Sequence, residues 1–502
     1  MNDQTRTPDS ITFEERDEFQ RNPIAEKLIQ LLTSNIDVSP MVIDGHWGTG
    51  KTEFCYKLIN LLKKTHPDVH VAYVDAFKAD HANEPLMTLV AAIANLIDDE
   101  ETEKSFREKA IPALRYGLKT LGKAGIAWVL KKNADEIPDE FEDILQEAAE
   151  DSINAAIEQS IKDHQDIEAV LTTLQEALGR IAEDKPLILF IDELDRCKPD
   201  FAISMLESIK HVFDVPNIRF VLVSNLNQLK DSINHCYGAG VDAQRYMDKF
   251  IKYSFTLADS FTIDKYNYIH ASVQHAKLLI EKSKVLSDSV LLKDRVFHLI
   301  EILITTNRLS LREVETFVRH LEIWHILNEN KGFANNLVYA YALLYILGIY
   351  FFCFESEQSA KFLKGDVDAN VLVKHLGVSK YVPSKEYDGD QLAYILAAIF
   401  FFSSTVQVDG FDLNDREEMG FWRDRIRGLF QDSIWPPDTD DIFPVIVKSI
   451  RKLCLDHYYE YTIQIQEGFR VEMVGRGAGT LGGQATEVRC PLPKQQCGQE
   501  IV

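Results

Sequence analysis

Positive charge is scarce in this chain. Its 54 Lys and Arg stand against 78 Asp and Glu, a formal net charge of -24 over 502 residues. A broad, sequence-independent grip on nucleic acid needs clustered Lys and Arg to neutralise phosphates, so no such grip is expected, and a translocase running on DNA or RNA is disfavoured with it. The deficit leaves room for a small local basic site. It also does not bear on nucleotides, because backbone N–H groups and one Lys can hold a triphosphate together with Mg2+.

Cysteine is sparse and unpatterned. The seven thiols (Cys55, Cys197, Cys236, Cys353, Cys454, Cys490 and Cys497) form no CxxC pair, which fits reduced cytosolic thiols better than a disulfide framework. Cys490 and Cys497 have no second pair or His placed to complete a zinc site. The amino-terminal residues are polar and acidic, without the apolar stretch of a secretory signal, so a cytoplasmic location is expected. No internal repeat is present. Two charge-free apolar runs need weighing: Leu337–Phe354, nearly bilayer-spanning in length, and the shorter Leu392–Ser404. The first holds four tyrosines and lacks a basic flank of the positive-inside kind, so burial in a protein core is expected rather than membrane insertion.

What is present is the balance of a globular protein, 46% hydrophobic and 26% charged, long enough for two or three domains. Residues 1–20 read as a polar lead. Asn22-Pro23 opens an amphipathic helix with Ile24, Leu28, Ile29, Leu31 and Leu32 on one stripe. Then come a short strand at 40–44, a glycine-rich loop, a helix at 52–64 and a strand at 69–74. A mostly helical, acidic stretch at 98–184 interrupts this order. Within it a small basic island (Arg115, Lys119, Lys123, Lys131, Lys132) surrounds the apolar run 113–130. The order resumes with the unbroken apolar run at 186–191, a helix through Phe201, Met205, Leu206 and Ile209, and a strand at 218–223. Strand, loop, helix, strand in this succession predicts an α/β nucleotide domain built on a parallel sheet flanked by helices, from 21–97 and 185–258. A helical lid and carboxy-terminal helical domain are expected at 259–465. The glycine-rich tail, 466–502, is expected to be disordered.

The loop Gly45-His46-Trp47-Gly48-Thr49-Gly50-Lys51-Thr52 matches G-x4-G-K-[ST] between a strand and a helix. Glycines let backbone N–H groups converge on phosphates without side chains in the way, and the helix that starts there adds its positive end. Lys51 is expected on the β- and γ-phosphates, with Thr52 as a Mg2+ ligand. The adjoining Glu53 completes the expected nucleotide-contacting set. The second half of the site is Asp192 and Glu193, at the end of the buried apolar strand. Asp192 is expected to hold Mg2+ and Glu193 to accept a proton from the attacking water. Two adjacent carboxylates at a buried strand end are expensive unless a cation sits between them. Asn225 is a candidate for orienting that water, with an ordinary strand-to-loop Asn as the even alternative. Arg196, Arg245 and Arg312 are candidates for sensing γ-phosphate charge, in cis or across a subunit interface; for each, a surface or ion-pair role stands beside it.

These residues resemble the KAP-type P-loop NTPases. The specific part is Leu194-Asp195-Arg196-Cys197, which looks like the family's Asp-Asp-Leu-Asp-Arg-Cys block, and the Trp-Gly of the first loop fits as well. Residues 74–78 resemble its Asn-Ala-Trp segment, 245–251 its Tyr-Leu-Glu-Lys segment, and Leu311-Arg312-Glu313-Val314-Glu315 its helical-lid arginine motif. Three departures stand out: Glu193 for the usual second Asp, Phe77 for Trp, and Asn225 where Asp is common. The resemblance covers roughly residues 20–325 and implies a STAND-like, AAA-related ATPase that drives or gates something else, often in mobile-element or phage-defence settings. An effector protein and a second copy of the chain are therefore the expected partners, and ATP and Mg2+ the expected cofactors. Some family members insert transmembrane helices between the two motifs. Here Arg115, Lys119 and Lys123 break the run 113–130, which reads as an amphipathic helix, either a soluble insertion or a peripheral contact with a partner or the inner membrane face. Two functions stay open on this reading: an ATP hydrolase, and a nucleotide-gated switch with slow or partner-dependent hydrolysis.

Overall fold

The computed structural model describes residues 8–82, 84–117, 155–262, 268–387, 391–431 and 439–455. Lys119, Lys123, Lys131 and Lys132, most of the run 113–130, and the tail 466–502 lie outside the described residues. Five strands, β1 (Met41–Asp44), β2 (His70–Asp75), β3 (Leu187–Asp192), β4 (Ile218–Ser224) and β5 (Tyr253–Thr256), form one parallel sheet in the order β2-β3-β4-β1-β5.

Side-chain alternation divides the strands between two cores, as the pleat requires. Val42, Leu187, Leu189, Ile191, Phe220 and Leu222 join one hydrophobic cluster, while Met41, Ile43, Ile188, Phe190, Val221 and Val223 join the other. The second core is roofed by α1 (Asn22–Leu32) and α2 (Lys51–Thr65), through Leu28, Ile29, Phe54, Leu58 and Leu62. The first is roofed by α3 (Pro85–Ala94), α4 (Glu100–Gly117), α5 (Ala155–Asp184), α6 (Pro199–His211) and α7 (Leu226–Tyr237). Strand β3 is buried at all six positions, which explains its unbroken apolar sequence. Phe106, Ala110, Leu114, Leu174 and Leu178 pack into the sheet's own core, so both described ends of the long helical stretch belong to the body of the α/β domain.

Topology then places the chemistry. All strand ends point the same way, and β4 lies between β1 and β3, in register Asp44 with Ser224 and Asp192 with Val223. The glycine-rich loop, the Asp192 carboxylate and the end of β4 therefore emerge side by side at one edge, the usual ligand side of an open α/β sheet.

Beyond the sheet, a small antiparallel ladder pairs Ser260–Thr262 with Tyr268–His270, where the sequence reading expects only helices. Each strand has three residues, too short to show a period of two. Helices α8 (Ala271–Lys282), α9 (Asp294–Thr306), α10 (Leu311–Leu327), α11 (Tyr339–Phe354), α12 (Ser356–Leu363), α13 (Leu392–Ser403), α14 (Arg416–Gly428) and α15 (Thr439–Leu453) enclose a third core. The apolar runs at 337–354 and 392–404 form the centre of it: Leu343, Leu347, Phe351, Leu396 and Phe400 are fully buried. Among the described residues no helix is long and apolar enough to cross a membrane.

Helices α11 and α15 cross in close contact at Gly348, where a Cβ would lie 2.6 Å from the Ile446 carbonyl oxygen and 2.7 Å from Ser449 Cβ. Gly348→Ala should therefore cost about 1–3 kcal/mol by forcing the helices apart. Gly420→Ala on α14, with nothing within 4 Å of the new methyl, should stabilise by about 0.5–1 kcal/mol. Urea unfolding measures both, and a Gly348→Ala chain as stable as its parent would refute the close crossing.

Candidate functional site

The loop between β1 and α2 is held by its own lysine. Lys51 Nζ donates to the carbonyl oxygens of Gly45 at 2.6 Å and His46 at 3.1 Å, while Thr49 Oγ1 donates to His46 O at 2.8 Å. Burial lowers the Lys51 pKa, and the negative charges of Asp195, Asp192 and Asp44 oppose that shift. Gly48 (φ +77) and Gly50 (φ +80) are both left-handed, a conformation that lets the loop wrap and that other residues adopt at a cost.

Opposite the loop stands Asp192, only 1% exposed. One of its oxygens accepts the Glu193 N–H at 2.8 Å, the other accepts the Tyr73 hydroxyl at 3.1 Å, and the Thr52 side chain bonds it as well. Burial pushes its pKa up to about 6 although these three hydrogen bonds pull it down. Glu193 has a left-handed backbone (φ +61), a strained conformation for a residue with a side chain. Its carboxylate pairs with Arg196 Nη1 at 2.9 Å. Asp195 accepts the Trp47 indole N–H at 2.6 Å and the Ser224 hydroxyl at 3.2 Å.

The helical domain closes the cavity from the other side. Ser310 and Glu313 form a reciprocal capping box at the start of α10, and the next residue, Leu311, donates its N–H to Gly48 O at 2.9 Å. Arg312 and Glu315 on α10, with His275 and Leu279 on α8, face the loop across a cavity of about 290 Å³. His275 Nε2 lies 3.2 Å from Glu315 Oε1.

The chain before α1 supplies the remaining wall. Phe13 packs on Phe54, and Asn60 Nδ2 donates to Pro8 O and Ile11 O, so this segment lies along α2. Arg16 pairs with Glu53 at 2.6 Å, and Lys57 pairs with the same carboxylate at 2.8 Å. Burial opposes ionisation of Glu53, but bonds and charge from Lys57 and Arg16 outweigh it and hold the pKa low. Arg21 donates to Thr49 O at 3.2 Å and Ala258 O at 3.3 Å with its guanidinium 4.9 Å from the Phe19 ring centre. Burial lowers its pKa to about 10 against the raising charges of Glu53, Glu18 and Asp17.

Of the residues singled out from sequence, Trp47, Gly48, Gly50, Lys51, Thr52, Glu53, Asp192, Glu193, Arg196 and Arg312 line this one cavity. Gly45, His46 and Thr49 shape the loop behind it. Asn225 is 6% exposed, and its side-chain oxygen accepts the Asn227 N–H at 3.1 Å as the cap of α7; it is not part of the cavity wall. Arg245 stands away from it, with a side chain 86% exposed and paired to Asp242 at 3.4 Å. Sequence reasoning passed over Arg16, Phe19, His275 and Leu279, which line the cavity too, and named Glu315 only as part of the lid motif. Arg16 and Phe19 sit in a polar lead without a motif, and His275 is one of 14 histidines on an otherwise ordinary helix.

Among the described residues no group of three or more His, Cys, Asp and Glu is arranged to hold a metal alone. A lone buried carboxylate bonded to a threonine hydroxyl suits Mg2+ instead, which takes one or two protein oxygens and completes its shell with phosphate and water. The donor set fits.

The chain matches the KAP family P-loop domain over residues 21–328. It is 24% identical over 259 residues to the phage T7 exclusion protein of Escherichia coli strain K12, a match covering 48% of this chain and 33% of that protein. The shared part is thus about a third of that relative's length. Among solved structures, the Aeropyrum pernix ORC2 protein in ADPNP–ADP complexes aligns over 86% of this chain and 94% of its own, at 13% identity and a TM-score of 0.31. That likeness is too distant to carry an argument.

Because Asp192 titrates near 6 in the folded chain and near its ordinary 3.8 when unfolded, the folded state binds the extra proton between those values. Stability therefore falls as pH rises through that window. Asp192→Asn keeps the shape, and the Tyr73 hydroxyl can turn to accept from the amide. The variant should be more stable than its parent by about 1–3 kcal/mol at pH 7.5, the gain vanishing below about pH 4. Urea unfolding of the ligand-free chain at both pH values measures this; an Asn variant weaker at pH 7.5 would count against burial as the dominant effect.

Proposed function

The chain belongs to the KAP family of P-loop NTPases, and from that membership and the cavity's geometry we propose that it binds Mg-ATP and hydrolyses the β–γ phosphate bond to drive or gate a partner. One observation carries the reading: the Lys51 loop, the Thr52–Asp192 pair and Glu193 all face the same cavity. In this reading Lys51 Nζ exchanges its two loop carbonyls for phosphate oxygens, and the loop N–H groups and the start of α2 surround the same charge. Thr52 and Asp192 would hold Mg2+, whose charge stabilises the phosphates as the bond breaks. Glu193 takes the proton from water, and Arg312 faces the phosphates from the lid. Phe19 and His275, with ring centres 6.2 Å apart, and Leu279 offer the apolar, aromatic end of the cavity to the base.

A second reading, a switch with slow hydrolysis, is favoured by the Glu193–Arg196 ion pair, which occupies the base until Arg196 is drawn elsewhere. The exposed Arg245 suits a contact with a neighbouring copy or an effector. Similarity to a phage exclusion protein supports a role in phage defence.

Lys51→Ala should weaken ATP binding by about two orders of magnitude, since it deletes a charge-assisted contact to phosphate. Glu193→Gln should retain ATP and stop phosphate release. Titration calorimetry and a phosphate assay measure the two; release that survives Glu193→Gln would sink the hydrolase reading, and fast turnover by the isolated chain would sink the switch.

A further inference from the structure

Neither the metal site nor the proton transfer uses Asp195, yet it is the carboxylate through which three strand ends meet. It lies on the short turn Leu194–Arg196 that follows β3, and it is 8% exposed. One oxygen accepts from Trp47 at 2.6 Å, on the loop after β1, and the other from Ser224 at 3.2 Å, the fully buried last residue of β4. We propose that Asp195 is a positioning residue: through Trp47 it holds the nucleotide loop in its receiving shape, and through Ser224 it anchors that hold to the sheet. The proposal rests on the nucleotide reading and deepens it.

Packing alone does not account for Trp47. The residue is 49% exposed, so it gains little from burial, whereas its indole N–H is spent on a nearly buried carboxylate. An indole N–H can only donate, so the direction of the bond is certain. Trp47 immediately precedes Gly48, whose backbone is left-handed. Tying down the residue beside that glycine helps order the loop before phosphate arrives, and an ordered loop loses less entropy on binding. Unlike Asp192, which bonds the Thr52 hydroxyl on α2, Asp195 spends both oxygens on the first loop's Trp47 and on the end of β4. Its negative charge is also the largest of those that oppose the lowering of the Lys51 pKa by burial.

The test is a double-mutant cycle on Trp47→Phe and Asp195→Asn, read as the Kd of a fluorescent Mg-ATP analogue, with steady-state ATP turnover alongside. Each single change should weaken binding about tenfold, and the double should fall well short of the product of the two, because Trp47→Phe deletes the bond that Asp195→Asn strips of its charge. KM should rise by more than kcat falls, since the bond shapes the loop rather than the reaction. Additive effects would overturn the proposal, and so would a collapse of kcat at unchanged KM, which would make Asp195 a catalytic group. Ser224→Ala tests the second arm if Asp195→Asn does not fold: affinity should fall about threefold on loss of one buried hydroxyl bond, and unchanged affinity would refute the anchor. Lys51→Ala separates the two levels. If the parent chain binds no nucleotide, the reading and the proposal fall together. If it binds and Lys51→Ala abolishes binding while the cycle is additive, only the proposal falls.

Discussion

A carboxylate held out of water at the end of a fully buried strand is the constraint around which this molecule is arranged. Asp192 cannot move outward, because β3 is packed on both faces and hydrogen-bonded to β2 and β4 along its length. It does not easily stay ionised either, because burial outweighs the three hydrogen bonds that favour its charge. A strand end that disfavours its own charge is a strand end suited to a cation. The loop across from it shows the complementary condition: a buried ammonium, Lys51, bonded to carbonyl oxygens, where phosphate oxygens would be stronger partners. Each half is stabilised by what the other half's ligand brings.

The cavity is closed by parts of the chain far from the motifs. The lid touches the loop at backbone level, Leu311 N–H on Gly48 O, so a change in the loop is felt at the first turn of α10. On the opposite side Arg21 ties Thr49 to Ala258, linking the loop to the segment that leads into the helical domain. Residues 8–20 precede the matched family domain, yet Arg16 and Phe19 line the same cavity. The helical domain and the loop thus share direct contacts, through Leu311 on one hand and Arg21 on the other.

Much of this was legible in the sequence because it depends on local order. The loop from Gly45 to Thr52 needs its glycines and its lysine at set spacings, and those spacings are visible. The β3 run needs apolar residues at every position, and the carboxylates must follow it directly. The burial of Leu337–Phe354 was legible too, through its tyrosines and the lack of a basic flank. The short ladder at 260–270 was not, because three-residue strands have no readable period. Asn225 shows the limit most clearly. Sequence put it at a strand end, but only the structure shows its side-chain oxygen capping α7.

The sequence by itself determined a parallel α/β nucleotide domain, its phosphate loop and its paired carboxylates, since each is written in consecutive residues. Tertiary structure alone decided that β4 would lie between the loop and Asp192, that Trp47 and Ser224 would meet on Asp195, and that Arg16, Phe19, His275 and Arg312 would close one cavity while Arg245 would not. These depend on which strands become neighbours and how a separate helical core docks, and such long-range choices leave no spacing in the chain to read.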